Sequence, residues 1–346
     1  MSAARRRVGQ AWLESIWYGA ASGGAWLVPL AWLFAGLARL RRLAYRLGLF
    51  KALGVGCPVI VIGNLTVGGS GKTPLVIYLV SQLQRQGFRV GVISRGYGGS
   101  ARVVQTVTAR SDPREVGDEP VLIARRSQCK VFVGRDRVAA AQAAVAAGVD
   151  VVLSDDGLQH YALARDLEIV VVDGERGFGN GRQLPAGPLR EPLQRLRGVA
   201  FVVMNGEGWP QHVALPRGRA ALTMTLLPSD AVPVAERGAK RSLASFRGAP
   251  VHAVAGIGNP RRFFALLHSA GLDVIEHPFP DHYALKLQDL AFGDDAPVLM
   301  TEKDAVKCAG LADSRFWCLP VSAHFNALEA NELLTVITER IQSKRH

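Results

Sequence analysis

Cysteine is scarce: Cys57, Cys129, Cys308 and Cys318 are scattered through 346 residues with no C-x-x-C pair. That spacing argues against a cysteine-bound zinc or a disulfide framework and makes a reducing compartment the default. Aromatic residues are also few, at 7% against 49% hydrophobic residues overall, which points to an aliphatic core in a folded chain. Acid is in deficit, with 29 Asp and Glu against 41 Lys and Arg, giving a formal charge of +12. Such an excess calls for an anionic partner, whether nucleic acid, anionic lipid or a phosphorylated substrate. A basic stripe interleaved with stacking aromatics is missing, which argues against a nucleic-acid-associated ATPase. Internal repeats are absent too, and the length suits two ordinary domains.

Charge is wholly missing from Ser15 to Ala38, "SIWYGAASGGAWLVPLAWLFAGLA", a stretch flanked by Arg5–Arg7 and by Arg39, Arg41 and Arg42. A membrane-spanning helix needs about 20 apolar residues, so the length suffices. Ser22, Gly23, Gly24 and Pro29 weaken the stretch, whereas Trp17, Trp26 and Trp32 suit the membrane–water interface. Spanning and interfacial placements both stay open, and basic residues on both flanks leave the orientation undecided. A cleaved export signal fits poorly, because export would part the nucleotide-binding loop described below from cytoplasmic ATP. Membrane association is the expectation.

Downstream, "CPVIVIGNL" is an apolar run suited to a buried strand, and "TPLVIYLVSQLQRQG" is an amphipathic helix closed by Gly87. "FRVGVIS", "VVLSDDG", "LEIVVVDG" and "VAFVVMNG" repeat the pattern of strand then loop, with the small-residue helix "VAAAQAAVAAGVD" among them. Strands alternating with helices predict an α/β fold with a doubly wound, mostly parallel sheet. Residues 207–249, rich in Pro, Gly and Arg, hold the expected seam. A second, smaller α/β unit then follows through "PVHAVAGIGNP", "RRFFALLHSAG", "LDVIEH", "APVLMTEKD" and "RFWCLPV".

Between the first strand and its helix lies "TVGGSGKTP", which follows G-x-x-x-x-G-K-[ST] except that Thr66 stands where the first glycine belongs. Such a loop works by converging backbone N–H groups on phosphate oxygens while the positive end of the helix faces the anion. Gly68, Gly69 and Gly71 permit the close approach, Lys72 reaches the β- and γ-phosphates, and the Thr73 hydroxyl can ligate Mg²⁺. Thr66, Val67, Gly68, Gly69, Ser70, Gly71, Lys72 and Thr73 thus form the expected ATP cradle, provided Thr66 has a conformation open to a non-glycine residue.

Phosphoryl transfer also needs carboxylates near the metal, and "DVVLSDDGLQH" ends an apolar strand in Asp155 and Asp156. One would hold Mg²⁺ directly or through water while the other orients or polarises, and the sequence does not say which. A hydroxyl acceptor further requires a base. "VGDEP" offers Asp118 and Glu119, and "PDHY" offers Asp281 and His282. A carboxylate and an imidazole brought together would make a base with its orienting partner, but spacing in the chain cannot show that they meet.

In order along the chain, "GNLTVGGSGKTP", "SRGYGG", "VGDEP", "SDDGLQH", "LPAGPLREP", "PDHY" and "TEKD" follow an N-terminal hydrophobic segment. That series closely resembles the tetraacyldisaccharide 4′-kinase family, the lipid A 4′-kinases of Gram-negative bacteria. Threonine at the first loop position belongs to that family's pattern. The resemblance implies transfer of the ATP γ-phosphate to the 4′-hydroxyl of a tetraacylated glucosamine disaccharide 1-phosphate, giving lipid IVA. It implies an active site between two α/β domains and a helix anchored at the cytoplasmic face of the inner membrane. Asp118 falls on the family's catalytic aspartate, His282 on the histidine working with it, and Asp155 and Asp156 on the paired acids around the metal. Arg190 matches an arginine placed for phosphate or transition-state charge. Asn64, Arg95, Tyr97 and Glu119 fall on the substrate side.

The expected division is therefore a membrane-associated helical segment at 1–50, a P-loop kinase domain at 51–215 and a C-terminal α/β domain at 216–346. ATP, Mg²⁺, the lipid substrate and anionic inner-membrane lipids are the expected partners of a monomeric chain, with no nucleic acid. A GTPase is disfavoured because guanine recognition uses [NT]-K-x-D, and the lysine of "TEKD" comes one place too late. A dinucleotide module at "AGIGNP" fails because Arg261 occupies the third glycine position.

Overall fold

The computed structural model describes residues 12–19, 24–208, 221–235, 238–308, 310 and 313–344. Arg5–Arg7, Ser22 and Gly23 lie outside the described residues, as does the expected domain boundary between 215 and 216.

The described residues open with helices α1 (12–18) and α2 (Val28–Arg46), then β1 (Val59–Gly63), α3 (Lys72–Arg85), β2 (Val90–Ser94) and β3 (Gln105–Val107). Next come α4 (Pro113–Val116), α5 (Asp118–Ser127), β4 (Lys130–Val133), α6 (Arg137–Ala146), β5 (Val151–Asp155), β6 (Leu167–Asp173) and β7 (Phe201–Asn205). After β8 (Leu222–Pro228) and β9 (Val232–Pro233) follow β10 (Pro250–Ala255), α7 (Pro260–Ser269), β11 (Asp273–Pro278) and β12 (Val298–Thr301). The chain closes with α8 (Glu302–Cys308), β13 (Phe316–Leu319), β14 (Val321–His324) and α9 (Ala327–Ser343).

Among the described residues, nine strands form the first sheet in the order β14-β8-β7-β6-β1-β5-β2-β4-β3, parallel apart from β14 on β8 and β3 on β4 at its two edges. The second sheet has the order β11-β10-β12-β13-β9, parallel except for β9. Every residue of β1, β2, β5 and β7 is buried, as an unbroken aliphatic run requires when helices cover both faces. Leu75, Leu79 and Leu83 of α3 pack one face with Ile123 of α5 and Ile337 of α9. Ala140, Ala141 and Ala144 of α6 pack the other and are fully buried there. β1 lies between β5 and β6, so the strand order reverses around it and a crevice opens at the carboxyl ends.

Sheet membership departs from a cut at residue 216. β8, β14 and α9 all belong to the first body, although their residues follow that cut. Within "RFWCLPV", Pro320 separates β13 from β14. Proline has no N–H to give a ladder. The chain leaves the second sheet at Leu319, accepts a bond from Ser229 N at the Pro320 carbonyl, and re-enters the first sheet at Val321.

The uncharged N-terminal run also divides. α1 ends at 18 and α2 starts at Val28, with Pro29 in its first turn, where a missing N–H costs nothing. Among the described residues, no helix is long and apolar enough to cross a membrane. On α2 the small Ala31 and Ala35 face inward with Leu27, Ile16 and Ala186, while Trp32, Leu33, Leu37, Leu40 and Leu43 are exposed.

Candidate active site

The crevice beside β1 is floored by the loop 66–73. Thr66 bridges Leu189 in antiparallel fashion, and Val67 N donates to Pro188 O at 2.9 Å, so the loop enters as a short ladder with "GPLREP". Extended pairing of this kind suits a β-branched residue, and Thr66 is not among the positive-φ residues. That is why the first glycine is dispensable here. Gly71 is not dispensable. It caps α3 with φ 92°, and a Cβ there would lie 2.3 Å from the Asn205 side-chain nitrogen. Asn205, at the end of β7, donates to Ser70 O at 3.1 Å and so fixes the turn from the neighbouring strand. Asn64, expected on the substrate side, is fully buried and donates to Gly68 O at 3.1 Å, which makes it a brace beneath the loop.

The carboxylates at the end of β5 face this loop with opposite electrostatics. Asp155 is completely buried, and neither of its oxygens has a hydrogen-bond partner among the described residues. Burial, aided by the charge of Glu119, pushes its carboxyl up to about 7, against the pull of Lys72. An orphaned buried carboxylate beside a phosphate loop fits a cation it must charge up to receive, and the Thr73 hydroxyl and Asp156 complete a hard oxygen donor set suited to Mg²⁺. Asp156 has φ 49° and turns toward cations: Arg190 Nη1 donates to both its oxygens at 3.1 and 3.0 Å, and Lys72 Nζ lies at 3.6 Å. Burial alone would raise its pKa, but Lys72 and Arg190 outweigh that and hold it well below the carboxylate range. The Arg190 guanidinium of "PLREP" therefore reaches the carboxylate that faces the loop.

Asp118 and His282 meet. They are 164 residues apart in the chain, yet His282 Nδ1 lies 3.1 and 3.2 Å from the two Asp118 oxygens. Asp118 is buried in the first turn of α5, and His282 sits in the loop after β11 with φ 58°. Burial raises the Asp118 carboxyl, but the hydrogen bond from His282 and the charge of Lys303 bring it below its ordinary value. A carboxylate kept ionised and held by an imidazole is competent to take a proton from a hydroxyl. Tyr97 is exposed with its ring 4.8 Å from that of His282, and Arg95 is exposed at the end of β2. Glu119 accepts from Lys303 at 3.0 Å.

Several groups in the crevice carry no local signal that the motif reading could use. "AGIGNP", excluded as a dinucleotide module, lies against the phosphate loop instead. Arg176 Nη1 donates to Gly258 O at 2.6 Å, and Arg262 Nη1 donates to Asn205 O at 3.1 Å. A cavity of about 220 Å³ opens between α3 and the second sheet, lined in part by Lys72, Thr73, Asn205, Asn259, Arg262 and Lys303. Tyr18 of α1 also reaches the loop, with its hydroxyl 3.5 Å from Val67 O, and Arg176 stacks over its ring.

A Cβ at Gly258 would lie 2.1 Å from Gly69 N, a backbone atom that cannot swing aside. Gly258→Ala is therefore expected to push the two loops apart at a cost of about 1–3 kcal/mol, weakening ATP binding roughly 5- to 150-fold. Calorimetric titration with ATP, alongside a melting curve for the folded fraction, checks it. An unchanged Kd would mean that the contact between the two loops is not used when nucleotide binds.

The model of a known family, LpxK: Tetraacyldisaccharide-1-P 4′-kinase, matches residues 24–342. A tetraacyldisaccharide 4′-kinase of Methylobacillus flagellatus is 49% identical over 335 residues, covering 96% of this chain and 98% of that protein. Its counterpart in Alkalilimnicola ehrlichii is 54% identical over 301 residues, covering 86% and 87%. Among solved structures, the "apo" form of LpxK from Aquifex aeolicus in complex with ATP superposes with a TM-score of 0.74 at 28% identity. It covers 92% of this chain and 99% of that one.

Proposed function

The chain belongs to the tetraacyldisaccharide-1-P 4′-kinase family, a family of lipid A biosynthesis, and we propose that it moves the γ-phosphate of ATP to the 4′-hydroxyl of a tetraacylated disaccharide 1-phosphate. The observation that carries this reading is the contact between Asp118 and His282, which joins motifs from the two sheets beside the phosphate loop. Asp118 accepts the proton of the attacking hydroxyl, whose oxygen forms the new bond to phosphorus as the bond to the β-phosphate oxygen breaks and ADP departs. His282 orients Asp118. Amides of residues 68–73 and the Lys72 ammonium hold the phosphates, and Arg190 offers positive charge to the transferring group. Thr73, Asp155 and Asp156 are the residues that would hold Mg²⁺, which when bound neutralises charge developing on the phosphates. Tyr97, Arg95 and Glu119 lie on the acceptor's side of this arrangement.

The test is direct. Purified protein, γ-labelled ATP, Mg²⁺ and the disaccharide 1-phosphate lipid should yield a labelled lipid, and label appearing only as free phosphate would sink the assignment.

The outer face of α2 fits a monolayer surface at the cytoplasmic face of the inner membrane. Its exposed Trp32, Leu33, Leu37, Leu40 and Leu43 would enter the headgroup–acyl boundary, while the exposed Arg39, Arg41 and Arg46 meet anionic lipid and the half-buried Arg42 turns toward Tyr161 and Glu191. Replacing Leu37 and Leu40 together by Glu is expected to weaken binding to anionic vesicles by at least about tenfold, since each leucine forfeits roughly 1.5–3 kcal/mol of burial. Sedimentation with vesicles reads the change. Equal binding by the double variant would remove α2 as the membrane contact.

A further inference from the structure

The motif "TEKD" ends β12 and opens α8, and its lysine has no part in the roles assigned above. Lys303 Nζ lies 3.0 Å from Glu119 Oε1, 2.9 Å from Asp281 Oδ1 and 3.3 Å from His282 Nε2. Its side chain is only 13% exposed. Burial would favour the neutral amine, but Glu119, Asp281 and Asp118 outweigh that and hold the group above the ordinary lysine value. Lys303 is thus an ammonium: three donors and no acceptor.

A donor-only neighbour settles the ring opposite it. His282 Nε2 must accept, so the hydrogen of the neutral ring sits on Nδ1, which faces the Asp118 oxygens at 3.1 and 3.2 Å. We propose that Lys303 is a positioning residue that holds His282 as the neutral, Nδ1-protonated imidazole, so that the ring orients Asp118 while leaving it basic enough to take the acceptor's proton. This rests on the reading of Asp118 and His282 as base and partner.

A doubly protonated ring would aim its Nε2 hydrogen at the Lys303 ammonium, two donors facing each other. Burial also opposes the charged ring, whereas the hydrogen bond to Asp118 favours it and leaves the ring above its ordinary value, with Lys303 pulling it back. The remaining charges facing the ring are Asp281, whose carboxylate is 3.8 Å from Nε2, and Lys307 of α8, 4.0 Å from Asp118 and paired at 2.6 Å with Asp304. The Tyr97 ring lies against that of His282 at a 55° tilt. Removing the ammonium therefore raises the His282 pKa further. An imidazolium then persists to higher pH and makes Asp118 a poorer base, so the acid limb of activity must move upward in pH.

The experiment uses the full chain in detergent with ¹⁵N-labelled histidine, the His282 signals being assigned by their loss in His282→Gln. In the unaltered protein at the pH of activity, Nδ1 is expected to carry the hydrogen and Nε2 to be bare. In Lys303→Met the acid limb of kcat should rise by about one pH unit, a shift typical of losing one close charge, with KM for ATP changed less than about threefold. Lys303→Arg, which keeps the charge, should hold the limb near its original place even if the rate falls. A hydrogen found on Nε2 in the unaltered protein overturns the proposal, and that measurement stands even where Lys303→Met does not fold. A well-folded Lys303→Met with an unmoved acid limb overturns it too, leaving Lys303 as a strut between Glu119 and Asp281. Should Asp118→Asn keep full activity while the ring still responds to Lys303, the base assignment fails and the tautomer assignment survives.

Discussion

Asp118→Asn is expected to lower kcat by about 10²–10⁴-fold, the range for loss of a general base, while KM for ATP moves little. The asymmetry follows from when the group acts. Asp118 is buried at the start of α5 and makes its strongest contact with His282 of the second sheet, not with the loop that seats the phosphates. Its carboxylate is needed only as the hydroxyl proton leaves, so its loss falls on the transition state and not on nucleotide binding. Asparagine keeps the shape and can still meet the ring, so a fall in rate would report lost basicity and not collapse of the contact. Steady-state kinetics with the lipid acceptor checks this, together with a melting curve. A kcat within a few fold of the unaltered enzyme would remove Asp118 from the chemistry.

Lys72→Ala should damage both parameters. Lys72 begins α3, lines the cavity and lies 3.6 Å from Asp156, so it serves the seated triphosphate and the carboxylate that faces it. Loss of a preorganised cation aimed at transferring charge is worth about 10²–10³-fold in kcat, and weaker phosphate contact should raise KM for ATP by about tenfold or more, a little over 1 kcal/mol. A second effect runs through the paired acids. Without the ammonium, Asp156 keeps Arg190 and Arg137 as its cations and Asp155 loses the larger of the two charges, Lys72 and Arg137, that oppose its protonation, so the variant should also need more Mg²⁺ for half-maximal activity. Titrating activity against ATP and then against Mg²⁺ separates the two. A variant altered in neither would show that the loop does not hold the phosphates.

Much of this arrangement was legible along the chain because its signals are local. An unbroken aliphatic run names a strand covered on both faces, and glycines before Gly-Lys-Thr name an anion-binding turn into a helix. The order of the motifs pointed to Asp118 and His282, and the fold brought them together. What the chain hid depends on distant partners. Thr66 is acceptable because Leu189 pairs with it, and Gly258 matters because Gly69 lies against it. The role open to Lys303 is set by carboxylates 184 and 22 residues away. Nothing local marks Pro320 as the point where the chain changes sheets. In α2 the helical period runs opposite to a core-facing helix, with alanines inward and large apolar residues outward. A reading by hydropathy alone registers only that the stretch is apolar.

A crystal structure with Mg²⁺ and a non-hydrolysable ATP analogue probes the seat of catalysis most directly. The triphosphate should lie on the amides of residues 68–73 with the metal at Thr73 and the paired aspartates, and the terminal phosphate should face Asp118 and His282 across the crevice. A nucleotide bound elsewhere, or one whose terminal phosphate turns away from Asp118, would contradict it.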